Sequence, residues 1–223
     1  MRSTVILIPS YNCGATLPGL IRQIKSHAPD CETLLVNDGS TDNTSLLLDT
    51  LPVCSISHPV RRGKGAALQT GMDWALTHGF RFVITMDADG QHDPADLPKF
   101  LKSNADLSVG ARTFRPGIMP LARIFSNWTS SRIISLLSGQ WVRDSQCGYR
   151  KIRLTAVQGF IPRSRHYQYE TEMILFIARI KKGRVANIPI RTIYGREKSN
   201  IRHLPDTWEF FVTAWRYFWT TTK

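Results

Sequence analysis

Acidic residues are scarce in this sequence. Its 223 residues hold 17 Asp and Glu against 29 Lys and Arg, for a formal net charge of +12. That balance points to an anionic partner: nucleic acid, nucleotide phosphates or an acidic membrane surface. Zinc-finger, helix-turn-helix and RNA-recognition signatures are all missing, so nucleic acid is not the expected partner. The four cysteines, Cys13, Cys31, Cys54 and Cys147, have none of the close spacing of a zinc or redox motif. They are expected to be reduced thiols in a cytosolic protein. No stretch reaches about 18 apolar residues, so nothing is expected to span a bilayer. The opening "MRSTVILIPS" breaks at Pro9 with no small-residue cleavage site after it, and is not read as a signal peptide. Internal repeats, low-complexity tracts and a clear interdomain linker are also absent. What remains is a chain with 42% hydrophobic residues, enough for one compact domain with a full core and a small C-terminal appendage.

Apolar β-branched runs alternate with helical periodicity over roughly the first 110 residues. "TVILIP", "ETLLVN", "VCSIS", "FRFVITM" and "ADLSVGA" read as strands. "TLPGLIRQIKSHA", "STDNTSLLLDTL", "GKGAALQTGMDWALTHG" and "DPADLPKFLKS" read as the helices between them. Such alternation predicts a doubly wound α/β sheet, which binds ligands at the carboxyl ends of its strands. Those ends carry Pro9, Tyr11 and Asn12, then Asn37, Asp38 and Gly39, then Asp87 and Asp89. Further on, "LARIFSNWTSSRIISLLSG" reads as a helix and "HYQYETEMILFIARIKKG" as a strongly amphipathic one. "RVANIPIRTIY" reads as an edge or kinked strand, because it contains Pro189.

Asp87 and Asp89 flank Ala88 directly after a buried run. In extended chain, residues two apart face the same way, and a divalent cation would relieve the repulsion between their carboxylates. The plainer alternative is a solvated acidic turn. Ser40 or Thr41 is expected to cap the second helix, with Asp42 in its first turn. Asp38 is expected to face a ligand and accept hydrogen bonds from a base N–H or a ribose hydroxyl. "PVRRGKGAAL" sets three cations at a helix N-terminus, suited to an anion, but without P-loop spacing. "PSYNCG" is not the glycine-rich phosphate loop a sugar-nucleotide pyrophosphorylase would need. His92 and His203 could approach a metal or could be hydrogen-bonded structure. The C-terminal "DTWEFFVTAWRYFWTTTK" places aromatics at helical spacing. It could dock on the core or lie on an anionic membrane.

"IPSYN", "VNDGSTDNT", "RRGKGAALQTGM" and "VITMDADGQHDPADLPKFL", in that order, resemble the N-terminal half of family-two glycosyltransferases with the GT-A fold. "SVGAR", "DSQCGYRK", "YETEMI" and "IPIRTIYGREKSN" are similar to the acceptor half of the dolichyl- and polyprenyl-phosphate sugar synthases. The chain departs from that branch at Ser145–Gln146–Cys147–Gly148, where T/S-G-G-F/Y is common, and on this reading is expected to be without the transmembrane tail of many relatives. The resemblance implies a Rossmann-like α/β nucleotide-diphospho-sugar transferase fold with a mostly parallel central sheet and flanking helices. Residues 1–200 would form it, 1–112 as the nucleotide-sugar half and 113–200 as the acceptor half, with 201–223 an amphipathic helix.

The implied activity is metal-dependent, inverting sugar transfer from a UDP- or GDP-sugar to a polyprenyl phosphate, on the cytoplasmic face of a membrane. The same donor chemistry with a saccharide hydroxyl acceptor is the alternative. Pro9, Tyr11, Asn12 and Asp38 would hold the nucleoside, with Lys64, Ala88 and Gln91 near the nucleotide. Asp87 and Asp89 would bind Mg²⁺ or Mn²⁺. Arg196 and Lys198 would cover the diphosphate, and Arg112, Arg123 and Asn127 would grip the acceptor phosphate. A phosphate acceptor needs no general base. A hydroxyl acceptor does, and Asp144, Glu170 and Glu172 are the candidates, with Asp144 and Glu172 slightly favoured; for Glu170 a surface acid paired with a nearby arginine is the equal alternative.

Overall fold

The computed structural model describes residues 2–113, 121–163, 168–191 and 193. Its strands and helices alternate as β1 (Arg2–Ser10), α1 (Leu17–His27), β2 (Glu32–Asn37), α2 (Thr44–Leu48), β3 (Cys54–Ser57), α3 (Lys64–Thr77) and β4 (Phe80–Thr85). There follow α4 (Leu97–Lys102), β5 (Leu107–Arg112), α5 (Leu121–Ser138), β6 (Arg150–Arg153), α6 (Gln168–Leu175) and β7 (Val185–Ile190). The seven strands make one sheet in the order β3-β2-β1-β4-β6-β5-β7. Every pairing is parallel except those of β6, which runs antiparallel to β4 and β5.

Val5 to Ile8 of β1 are fully buried, as are Leu34 to Val36 of β2 and Val83 and Ile84 of β4. Continuous apolar strands of this kind need helices on both faces, and α1 and α3 supply apolar stripes for them. The strand order reverses direction between β1 and β4. In an open α/β sheet that switch point leaves a crevice beyond the strand ends. β7 closes one edge, so the proline-containing strand sits where its missing N–H costs no internal ladder bond.

Three elements differ from expectation. α2 begins at Thr44, with Asn43 at its cap, so neither Ser40 nor Thr41 caps it. Asp42 instead accepts from the backbone N–H groups of Gly14 and Thr44. β6 was not foreseen, because "RKIR" carries three cations and no apolar run. Yet Arg150 and Lys151 are buried, and Lys151 Nζ donates to the carbonyls of Leu101 and Ser103 at 3.0 and 2.8 Å. Finally, α6 is buried on every face, not amphipathic. It runs into a π-helical stretch, Phe176–Ile180, closed by the Lys181 N–H on the Phe176 carbonyl. The expected C-terminal helix, 201–223, lies outside the described residues.

Candidate active site

The crevice at the switch point is laced by the loops after β1, β2 and β4. Asn12, at φ 53°, turns the chain out of β1. Its Oδ1 accepts the Thr41 N–H at 2.8 Å, and its own N–H donates to Ser40 Oγ at 3.0 Å, tying the first loop to the second. Across the crevice, Thr16 Oγ1 donates to the Ala88 carbonyl at 2.6 Å. The Arg61 guanidinium lies 4.1 Å from the centre of the half-buried Tyr11 ring. Pro9 sits inside β1 opposite Val36.

Asp38 differs from the expectation that it faces a ligand. It is 3% exposed, and its Oδ1 accepts from the Arg62 N–H at 2.8 Å and lies 2.7 Å from His58 Nδ1. Its Oδ2 accepts the Gly63 N–H at 2.7 Å. The carboxylate therefore organises the loop that enters α3. His58, whose Nε2 reaches Thr70 Oγ1 at 3.0 Å, is the partner the sequence did not reveal.

Asp87 lies two residues past β4, and Ala88 and Asp89 enter a turn at Gly90, φ +77°. The segment is thus not the extended one that the same-face reading assumed. Asp89 Oδ1 accepts the Gln91 N–H at 3.0 Å. Lys64, the first residue of α3, places Nζ 2.6 Å from Asp87 Oδ1 and 3.3 Å from Glu170 Oε2. Burial opposes charge at both Lys64 and Asp87, but their mutual attraction wins. Asp87 is held down at about 2, and Lys64, with Glu170 also nearby, is held above the ordinary lysine value. His92 Nδ1 accepts the Asp87 N–H at 3.1 Å, and burial pushes the ring down to about 4. A neutral imidazole accepting at Nδ1 carries its proton on Nε2, so it serves here as structure.

Do these residues suit Mg²⁺ or Mn²⁺? Among the described residues no group of three or more His, Cys, Asp and Glu could hold a metal ion. Magnesium commonly takes one or two carboxylates and completes its shell with water and substrate phosphate. Asp87 and Asp89 meet that need. Glu170 Oε1, buried with no hydrogen-bond partner, shows that the pocket already carries surplus anionic acceptors. Gly148 leaves open the space beside Asp87: a Cβ there would sit 2.6 Å from Asp87 Oδ2 and 2.9 Å from Lys64 Nζ. The donor set fits a cation that arrives with a diphosphate.

A second cluster lies at the end of β5. Arg112 holds Asp144 in a bidentate pair, Nε to Oδ2 at 2.6 Å and Nη2 to Oδ1 at 3.0 Å. Asn127 Nδ2 adds a bond to Asp144 Oδ1 at 2.8 Å. Burial disfavours the Asp144 charge, but the guanidinium outweighs it and keeps the carboxyl below the usual range. Glu172 is not beside Lys64. It is buried, and its Oε2 accepts the Arg163 N–H at 2.8 Å, on the side of α6 away from Glu170. Glu170, for which a surface acid was one alternative, is buried and is the α6 carboxylate that reaches Lys64. Arg150 was also missed: its three side-chain nitrogens each donate to a carbonyl, of Cys147, Glu170 and Ser145, at 2.6 to 2.8 Å. That fixes the 145–147 loop against α6. Cys147 points into the core, where burial pushes its thiol up to about 12. A pocket of about 330 Å³ opens beside Arg112, lined by Trp128, Ser131, Arg132, Trp141 and Arg143 among others. Arg123 lies in the first turn of α5. Its side chain, with Arg196, Lys198 and His203, is outside the described residues.

The profile of the family described as Glycosyl transferase family 2 matches residues 5–127. A UDP-N-acetylglucosamine–dolichyl-phosphate N-acetylglucosaminyltransferase from Methanococcus voltae is 31% identical over 214 residues, covering 85% of each chain. An undecaprenyl-phosphate mannosyltransferase from Micrococcus luteus is 32% identical over 197 residues, covering 82% of this chain and 81% of its own. Among solved structures, glucosyl-3-phosphoglycerate synthase from Mycobacterium tuberculosis, in complex with Mn²⁺, UDP and phosphoglyceric acid, superposes with a TM-score of 0.75. It covers 97% of this chain and 78% of its own at 18% identity, a likeness of fold, and that fold is GT-A.

Proposed function

The chain belongs to glycosyl transferase family 2, and on that premise we propose that it moves a sugar, with inversion, from a UDP- or GDP-sugar to a polyprenyl phosphate of the dolichyl type. The names of both relatives above, each covering more than four-fifths of the chain, support the lipid-phosphate acceptor. The observation that carries the choice is the Arg112–Asp144 pair. A hydroxyl acceptor needs a carboxylate free to take its proton. Asp144 is tied on both oxygens and holds its proton poorly, Glu172 is bound to backbone, and Glu170, the one candidate with an open oxygen, lies against the Lys64 ammonium. An acceptor phosphate is already an anion near pH 7 and needs no base.

In this reading Pro9, Tyr11, Asn12 and Asp38 frame the nucleoside end of the crevice, Asp38 by holding the loop in place. Asp87 and Asp89 would hold Mg²⁺ or Mn²⁺, with Ala88 and Gln91 near the nucleotide; the ion when bound neutralises the charge that develops on the departing diphosphate. Lys64 keeps a second positive charge beside that position. Arg196 and Lys198 would cover the diphosphate. Arg112, Arg123 and Asn127 orient the acceptor phosphate, and Asp144 holds the first and last of these. Residues 1–112 form the donor half, 113–200 the acceptor half, and 201–223 an amphipathic helix at the membrane surface, with the enzyme peripheral on the cytoplasmic face. Among the described residues, no helix is long and apolar enough to cross a membrane.

Transfer assays with UDP- and GDP-sugars, against polyprenyl phosphate and saccharide acceptors, test this directly. Turnover should require the lipid phosphate and disappear in excess EDTA. Asp89→Ala should lose the Mn²⁺-dependent part of the nucleotide-induced thermal shift. Full turnover in EDTA would overturn the metal assignment. A saccharide acceptor would have to use Glu170, whose Oε1 is unpartnered. A loss of about 10²-fold or more in Glu170→Gln, with the thermal shift intact, would favour that reading instead.

A further inference from the structure

α5 is built inside out. Its inward side is polar: Asn127, Ser130, Ser131 and Ser138 are buried alongside Ile134. Its outward side is Phe125, Trp128, Arg132 and Leu136, at the i, i+3, i+7, i+11 spacing of a single helical stripe. Phe125 is 67% exposed, Trp128 53% and Leu136 84%. The sequence of α5 contains no Asp or Glu. A helix of a water-soluble domain normally shows the reverse distribution, because exposed apolar surface goes unrewarded and buried hydroxyls need partners. Here the partners exist. Ser131 donates to Asn127 Oδ1, and the Ser145 N–H donates to Ser131 Oγ at 2.9 Å. The polar interior thus serves the Asp144 cluster, which leaves the exterior to be explained.

Cations are set into that exterior. The Arg132 guanidinium lies 5.3 Å from the Trp128 ring and 4.7 Å from the Trp141 ring, and Trp141 is itself 53% exposed. Arg143 is exposed beside them. Indole and phenyl groups around guanidinium groups, with no acid among them, match the chemistry of an anionic bilayer interface. There aromatic rings settle at headgroup depth and cations meet lipid phosphates. The pocket beside Arg112 opens between Trp128 and Trp141, so the stripe and the Arg112 cluster share one mouth.

We propose that the Phe125–Trp128–Arg132–Leu136 face of α5, with Trp141 and Arg143, docks on an anionic lipid surface and turns the Arg112 pocket towards the headgroups. The inference rests on the lipid-acceptor reading only for what enters the pocket. Docking is measured without turnover, so either can fail while the other stands. The test is flotation of the full chain with vesicles of equal parts phosphatidylglycerol and phosphatidylcholine, against phosphatidylcholine alone. Wild type should float with the mixed vesicles and release in high salt. Phe125→Ser with Leu136→Ser should bind them at least about tenfold more weakly. Its nucleotide-induced thermal shift should be unchanged, which shows that it is folded. Arg132→Glu should weaken binding to the mixed vesicles and leave phosphatidylcholine binding as it was. The proposal is overturned if wild type floats with neither vesicle. It is equally overturned if the double variant floats like wild type, which would place the contact elsewhere, residues 201–223 included. A lipid-free dimer that the double variant abolishes would identify a second copy of this chain as the occupant and also overturn it.

Discussion

Replacing Gly148 by alanine adds one methyl group at the point where the Asp87 carboxylate and the Lys64 ammonium meet. Gly148 is not among the positive-φ glycines, so the backbone accepts alanine without strain. Space is the only obstacle. The new Cβ would lie 2.6 Å from Asp87 Oδ2 and 3.1 Å from its Cγ, whereas ordinary contact begins at 3.4 Å. The carboxylate must therefore retreat by roughly 0.8 Å, and Lys64, at 2.9 Å, must move with it. Displacing a positioned group by about 1 Å costs on the order of 10²-fold in rate, equivalent to about 2.7 kcal/mol of barrier. Folding should be almost unaffected, because both displaced groups end in flexible, partly exposed side chains and the Gly148 carbonyl can still accept from Thr85 Oγ1. Gly148→Ala should thus lower kcat/KM for sugar transfer about 10²-fold and diminish the Mn²⁺-dependent thermal shift, while the ligand-free melting temperature stays close to wild type. A kcat/KM within a few-fold of wild type, with the shift intact, would refute the placement of Asp87 at the reaction centre.

Three further outcomes follow from the buried charges. Asp144→Asn leaves the Arg112 guanidinium without its counter-charge and should lower the unfolding free energy by about 3 kcal/mol; an unchanged urea midpoint would show that the pair holds nothing together. His92 is buried with its pKa depressed to about 4, so unfolded chains take up its proton first as the pH falls. Its contribution is complete above about pH 6.5 and lost by about pH 4, worth on the order of 3 kcal/mol. Urea unfolding across that window should lose this slope in His92→Gln. Loss through Asp87 comes lower, between its ordinary value of 3.8 and about 2. Asp38→Asn replaces an acceptor that serves two backbone N–H groups and lies against His58, so its NH₂ must face a donor; a loss of about 2 kcal/mol in urea unfolding is expected, and none would refute the loop-organising role.

The segments that border the crevice were legible because each combines a buried strand with a turn that follows it. "VITMDADG" announces a strand end, and the helix-initiating "GKGAAL" places Lys64 at the start of α3. β6 was hidden because Arg150 and Lys151 are satisfied by carbonyls supplied from distant segments, which leave no mark in the local pattern. Burial of α6 on all sides was hidden for a similar reason. Gln168, Glu170, Thr171 and Glu172 read as a solvent face, and only their neighbours in space show them covered. The opposite error arose at Asp38, which looked ligand-facing because His58, twenty residues on, could not be seen as its partner.

The sequence by itself determined the alternating α/β order, the parallel sheet, the acids past β4 and the excess of positive charge. All of these follow from short-range periodicity, turn residues and composition. Only the tertiary structure decided which carboxylates are committed. Asp144 belongs to Arg112, Asp38 to the α3 loop, and Glu170 rather than Glu172 to Lys64. It alone turned α5 with its hydroxyls inward and its tryptophan outward. An ion pair or a buried amide is set by distances of a few ångströms between residues far apart in the chain, and no local pattern encodes them.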